Sequence, residues 1–136
     1  MEFRPYINKI NLNKVKNSTG STDISDYVVR NNTKEWLPLI EKGIHYKGIS
    51  VISLHYDDEK ERSTTILLKF EPNAIYPYHN HPGGEEIYVL SGEAILENMT
   101  LSQGDYLYTP RDFKHSVTTK TGCTMLFVVP EEVVIL

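Results

Sequence analysis

From residue 44 onward the chain is a succession of short apolar segments broken by turn signals about every 8–12 residues, the spacing of an all-β sandwich or barrel. IHYKGISVISLHY (44–56) and RSTTILLKF (62–70) are predicted strands, joined by the charged turn DDEKE (57–61). EPNAIYP (71–77) reads as a proline-punctuated corner. EEIYVL (85–90) is predicted as a strand that turns at Ser91-Gly92 into EAILEN (93–98). After a turn at Gln103-Gly104-Asp105 come YLYTP (106–110), HSVTTK (115–120), CTMLFVV (123–129) and EVVIL (132–136). No apolar stripe of helical period interrupts them. The aromatic content agrees: nine tyrosines stand beside one tryptophan and four phenylalanines, and tyrosine suits half-buried strands.

The first part of the chain differs in kind. Residues 1–35 are polar, with Ser, Thr and Asn clusters, and lack the apolar content to fold alone. They are predicted to be an arm, either loose or docked as one or two strands on the barrel or a partner subunit. Residues 36–136 form the domain, entered through KEWLPLIEKG (34–43), an extended turn capped by Gly43. A total of 136 residues fits one domain with a sizeable core. The net charge of −4 and the lack of a basic run argue against a nucleic-acid groove. A single cysteine, Cys123, excludes an internal disulfide and suits a reducing compartment. Neither a signal-peptide run nor the ~18 apolar residues of a membrane span is present. A cytoplasmic protein is the expectation.

Chemistry concentrates in YPYHNHPGGEEIYVLSGE (76–93). His79 and His81 are two apart, so an extended strand turns both imidazoles to one face. Glu85 shares their parity, and the Gly83-Gly84 pair permits a bend that brings it back beside them. His115 follows a turn and starts a later strand, placed to reach the same point from the facing wall. Three imidazoles and a carboxylate suit Zn, Fe, Mn, Ni or Cu rather than Ca or Mg. Each ligand binds in its deprotonated form, so affinity is expected to fall at acid pH.

These residues resemble the two cupin motifs. The first, G-x5-HxH-x3,4-E-x6-G, is matched by His79, His81, Glu85 and Gly92, with Asn73 in place of the leading glycine. The second, G-x5-PxG-x2-H-x3-N, is matched by Gly104, Pro110 and His115, with Asp112 for the second glycine and Thr119 for the final asparagine. The departures touch turns, not ligands. The phrase HPGGEE before a strand ending in Leu-x-Gly is similar to the ChrR-like cupins, which occur as C-terminal domains of zinc anti-sigma factors and as free-standing proteins. The resemblance spans roughly residues 36–130 and implies a jelly-roll barrel holding one divalent transition-metal ion, Zn or Fe favoured, on His79, His81, Glu85 and His115. The His and Cys ligands of the anti-sigma helical domain are absent from the arm, which argues against a direct anti-sigma role. Related free-standing cupins include iron dioxygenases that cleave small diketone-like substrates. Two readings follow: a metal-dependent, dioxygenase-like enzyme acting on a small organic molecule, or a non-catalytic zinc sensor or ligand-binding domain. A homodimer is expected, because natural sheets cover their edges.

Other polar residues are assigned structural roles. His45 and His55 are read as outward-facing. Glu86, of opposite parity to Glu85, falls outside the ligand set. Cys123 is read as a buried, inert thiol. Tyr76, Tyr78, Tyr88, Tyr106 and Tyr108 are read as packing residues, with one or two lining the pocket. Arg62 and Lys69 are read as surface charges at strand ends.

Overall fold

The computed structural model describes residues 20–136. The first nineteen residues of the expected arm lie outside the described residues. The rest of the arm runs through two 3-10 turns, Ile24–Tyr27 and Asn31–Thr33, that bury no side chain.

Ten strands follow: β1 Leu37–Glu41, β2 Ile44–Asp57, β3 Arg62–Phe70, β4 Ile75–His81, β5 Glu85–Leu96, β6 Met99–Ser102, β7 Tyr106–Thr109, β8 Phe113–Thr118, β9 Cys123–Val128 and β10 Val134–Ile135. They pair in the order β1-β2-β3-β9-β5-β8-β4-β10, with β6 and β7 also bonded to β5. All pairings are antiparallel, and the sheet curls into the expected jelly-roll barrel. Among the described residues no helix is long and apolar enough to cross a membrane.

The curl is built into β5. Its first part, Glu85 to Gly92, pairs with β7 and β9; its last part, Glu93 to Leu96, pairs with β6 and touches β8. Ser91-Gly92 is therefore not a hairpin turn but the kink at which one strand passes between two walls. Gly92 has φ +74°, and a Cβ there would lie 2.1 Å from the Gly122 carbonyl oxygen. Glycine is required on both counts.

Alternation of side chains fills the barrel. Ile66, Leu68 and Phe70 of β3, Ile87 and Val89 of β5, and Met125 and Phe127 of β9 all point inward and are buried. Each such side chain contributes roughly 1.5–3 kcal/mol relative to exposure.

Three other segments depart from the sequence reading. The entry segment 34–43 contains β1, which pairs with β2 through a bulge between Pro38 and Ile40. The corner at 71–77 is already strand from Ile75. β6 was not predicted, because a two-residue turn at Glu97-Asn98 starts it immediately; both residues take left-handed φ, 48° and 68°. Asparagine tolerates that region, whereas the glutamate carries the cost.

The motif departures at turns keep the backbone that glycine would adopt. Asn73 has φ 68° and Asp112 φ 63°, and Asn and Asp are the residues that visit this region most readily after glycine. Thr119, in place of the motif asparagine, donates its hydroxyl to the Glu93 carbonyl (2.7 Å) and accepts the Gly122 N–H (2.9 Å). It thus braces the kink of β5 against the turn that follows β8.

Candidate metal centre

β4 and β8 lie side by side, with His79 directly opposite His115 and His81 opposite Phe113. Partners in register share a face, as do residues two apart on one strand. Backbone pairing alone therefore gathers His79, His81 and His115, each no more than 2% exposed. The Nε2 atoms of His79 and His81 are 2.9 Å apart, and those of His81 and His115 are 3.1 Å apart.

Glu85 arrives from the next strand. The turn between β4 and β5 closes with Gly84 N–H donating to the His81 carbonyl (3.1 Å), and the Asp112 N–H donates to the same oxygen (2.8 Å). One carbonyl thus fastens the loop carrying Glu85 to the loop preceding His115. Gly84 has φ +73°, and a Cβ there would meet the Thr109 carbonyl at 2.5 Å. The result sets the Glu85 carboxylate, itself buried, 2.8 Å from His81 Nε2 and 2.7 Å from His115 Nε2.

Electrostatics follow from burial. Desolvation holds His79 well below the ordinary imidazole range, at about 3. Burial pushes the Glu85 carboxyl up, but the contacts to His115 and His81 together outweigh it and hold the group below its usual value. His79 Nδ1 lies 2.6 Å from the Pro77 carbonyl. A carbonyl only accepts, so Nδ1 carries the proton and Nε2 turns a lone pair inward.

Pro77 sits in a β-bulge. Between the pairs Tyr76–Val117 and His79–His115, β4 advances three residues while β8 advances two. The extra residue lets Tyr76 and His79 both face inward despite opposite parity. Tyr76 is buried, with its ring edge against His79 at 4.8 Å between centroids, and its hydroxyl donates to Glu41 Oε1 at 2.6 Å. Burial, with the Glu41 charge next, raises the Tyr76 phenol far above its usual range. Parity counting alone misses this residue; a proline two positions before the first motif histidine is the available sign of the bulge.

The donor set fits a metal ion. The three histidines offer ring nitrogens within 4.8 Å of one another, all buried. Both Glu85 oxygens, though close to His81 and His115, receive no in-line hydrogen bond, a costly state for buried polar atoms. A divalent cation at the convergence of the Nε2 atoms would compensate the Glu85 charge and take up the lone pairs. The space beside His79, His81 and Glu85, lined also by Leu68, Phe70, Val117 and Phe127, is only about 10 Å³, the size of one small occupant. A bound transition metal would supply Lewis acidity or, if redox-active, electron transfer.

The remaining assignments separate cleanly. His45 and His55 are exposed on β2. Glu86 is exposed and accepts the Tyr106 hydroxyl (2.6 Å), which raises the Tyr106 phenol. Cys123 is buried, and burial raises its thiol to about 11. Arg62 corrects the surface reading: it is buried, and Nη1 donates to the Val129 carbonyl at 2.6 Å. Lys69 lies over the Trp36 ring, 5.6 Å from its centroid. Tyr78, Tyr88, Tyr106 and Tyr108 are exposed rather than packed.

A jelly-roll barrel with three convergent buried histidines on adjoining inner strands defines a cupin with a possible metal site. The chain belongs to the ChrR cupin-like domain family, whose family model matches residues 25–133. An RmlC-like cupin protein from Ralstonia eutropha JMP134 superimposes with a TM-score of 0.67 at 17% identity, covering 78% of this chain and 69% of that one. A putative acetylacetone dioxygenase from Methylibium petroleiphilum PM1 gives a TM-score of 0.62 at 17% identity, covering 75% of each chain. At these identities the likeness concerns the fold. A curated relative, the DNA damage-repair/toleration protein DRT102 of Arabidopsis thaliana, is 30% identical over 64 residues, which are 43% of this chain and 21% of that protein.

Proposed function

We propose that this protein is a metal-dependent cupin enzyme of dioxygenase type acting on a small organic molecule, with His79, His81, Glu85 and His115 as ligands to one divalent transition ion. The observation that carries the metal is the convergence of three buried Nε2 atoms around a buried carboxylate. The donor set suits Fe, Zn, Mn or Ni. Fold-level neighbours include a putative acetylacetone dioxygenase, an analogy that raises the oxygenase reading without carrying it.

A second reading, a non-catalytic zinc-binding domain of the ChrR type, is favoured by one observation. The space beside His79, His81 and Glu85 is only about 10 Å³, the scale of a single small occupant. One experiment separates the two. Protein purified without added metal is analysed for its elements, then loaded anaerobically with Fe(II) and mixed with acetylacetone under oxygen. Substrate-dependent oxygen consumption supports the enzyme. Stoichiometric zinc with no uptake across a panel of diketones and phenols supports the binding domain. A cytoplasmic homodimer remains part of the proposal, to be tested by fractionation and by light scattering.

A further inference from the structure

Thr109, the last residue of β7, carries a hydroxyl that the protein's own hydrogen bonds leave unused. Its side chain is buried, and among the described residues Oγ1 is the one buried hydroxyl without a hydrogen-bond partner. Threonine is mostly an exposed residue, or one that bonds to nearby backbone. Buried and unpartnered, its hydroxyl carries the full cost of leaving water. Valine has the same branching and no such cost, so the hydroxyl at this position calls for a partner.

The register of the sheet names that partner. Thr109 pairs directly with Glu85, and Leu107 with Ile87 two residues further along. Glu85, Ile87 and Thr109 are buried, whereas Glu86, Tyr106 and Tyr108, of the opposite parity, are exposed. Thr109 and Glu85 therefore point to the same inner face, and directly opposed Cβ atoms on paired strands lie about 4.5–5.5 Å apart. The end of β7 is also held tightly against the loop that delivers Glu85. A Cβ at Gly84 would meet the Thr109 carbonyl oxygen at 2.5 Å and the Arg111 nitrogen at 3.4 Å.

The carboxylate has need of such a neighbour. Glu85 lies 2.8 Å from His81 Nε2 and 2.7 Å from His115 Nε2, yet neither contact is an in-line hydrogen bond. Imidazole nitrogens that bind a metal carry no proton, so in the loaded site these two rings donate nothing to Glu85. A carboxylate offers about four acceptor positions, and an ion does not occupy them all. Ligating carboxylates are in turn hydrogen-bonded, and such outer partners fix their orientation. We propose that Thr109 is the positioning residue of the metal centre: its hydroxyl donates to the Glu85 carboxylate and holds that ligand in place. The inference rests on the proposed metal site and is independent of whether the site turns over a substrate.

The test uses the full chain, Zn(II) as the probe and competition against a chelator as the readout, beside urea unfolding of the metal-free protein. Thr109→Val keeps the shape and removes the hydroxyl. It is expected to weaken Zn(II) binding about tenfold or more, while the metal-free protein unfolds at the parent's urea concentration or higher. Thr109→Ser restores the hydroxyl and loses the methyl group. It is expected to bind Zn(II) within about twofold of the parent although its metal-free form is the less stable. In the Glu85→Ala background, Thr109→Val is expected to change affinity by less than about twofold, since its partner is gone. Should Glu85→Ala retain too little metal to titrate, the contrast between valine and serine decides alone. Parent affinity in Thr109→Val, or serine binding as weakly as valine, would overturn the inference and leave the metal site standing. A parent protein that takes up no Zn(II) would remove the metal site, and this inference with it.

Discussion

His79 and His115 face each other across the β4–β8 ladder as a directly paired couple, so one backbone register sets the spacing of two of the candidate ligand side chains. His79→Ala or His115→Ala removes one side of that couple without disturbing the ladder. Each variant is expected to lose stoichiometric metal, and with it the thermal stabilisation that added Zn or Fe gives the parent. Metal content after dialysis and melting curves with and without metal check this. Full metal stoichiometry in both variants would refute the site.

Glu85 occupies a different position, bridging His81 and His115 rather than pairing across a ladder. Glu85→Gln keeps an oxygen at the same place but removes the charge. Its metal affinity is expected to fall, and to fall less than in His79→Ala. Competition titration against a chelator measures the difference. An affinity equal to the parent's would place Glu85 outside the ligand set.

The depressed His79 value has a consequence for the metal-free protein. The unfolded chain takes up a proton on this residue near pH 6.5, whereas the folded chain refuses it until about pH 3. This contribution to stability is complete above pH 6.5 and is lost as pH falls through that window, by up to about 1.4 kcal/mol per pH unit. Urea midpoints of metal-free protein should therefore decline from pH 7 to pH 5. A flat profile over that range would contradict the burial of a neutral imidazole.

Two glycines offer a matched pair of substitutions. Gly104 has φ +90° and open space around its Cβ position, so Gly104→Ala carries backbone strain alone, about 1–2 kcal/mol. Gly92 adds a clash with the Gly122 carbonyl. Gly92→Ala is expected to cost clearly more, beyond about 4 kcal/mol, and to compromise folding. Chemical denaturation of the two variants compares them; equal losses would mean that the kink of β5 relaxes freely.

The sequence makes His79 and His81 legible because strand parity and family spacing point to the same residues; His115 is legible from family spacing alone, and it arrives on the adjoining strand β8 rather than on the expected facing wall. It makes the barrel legible through alternation, as in Cys123, Met125 and Phe127. What it hides are features that break period two. The bulge at Pro77 turns Tyr76 inward, and the kink at Gly92 makes one strand of what reads as two. Arg62 and Glu41 are hidden for another reason: charged residues are read as exposed by default, and only tertiary contacts such as the Val129 carbonyl and the Tyr76 hydroxyl explain their burial.

β5 is bonded to β6, β7, β8 and β9, and thus has more strand partners than any other described strand. Neighbouring β9 pairs with β3, joining residues 123–128 to residues 65–70. Unlike the sequential β2–β3 hairpin, this pairing closes a long stretch of chain, so its loop-closure cost falls early and its reward comes late. The barrel is expected to assemble slowly and to come apart as one cooperative unit. In native-state hydrogen exchange, the amides of Ile87 and Val89 should open only with global unfolding, whereas β1 and β10, at the ends of the pairing order, should exchange through smaller fluctuations that leave the histidines in place.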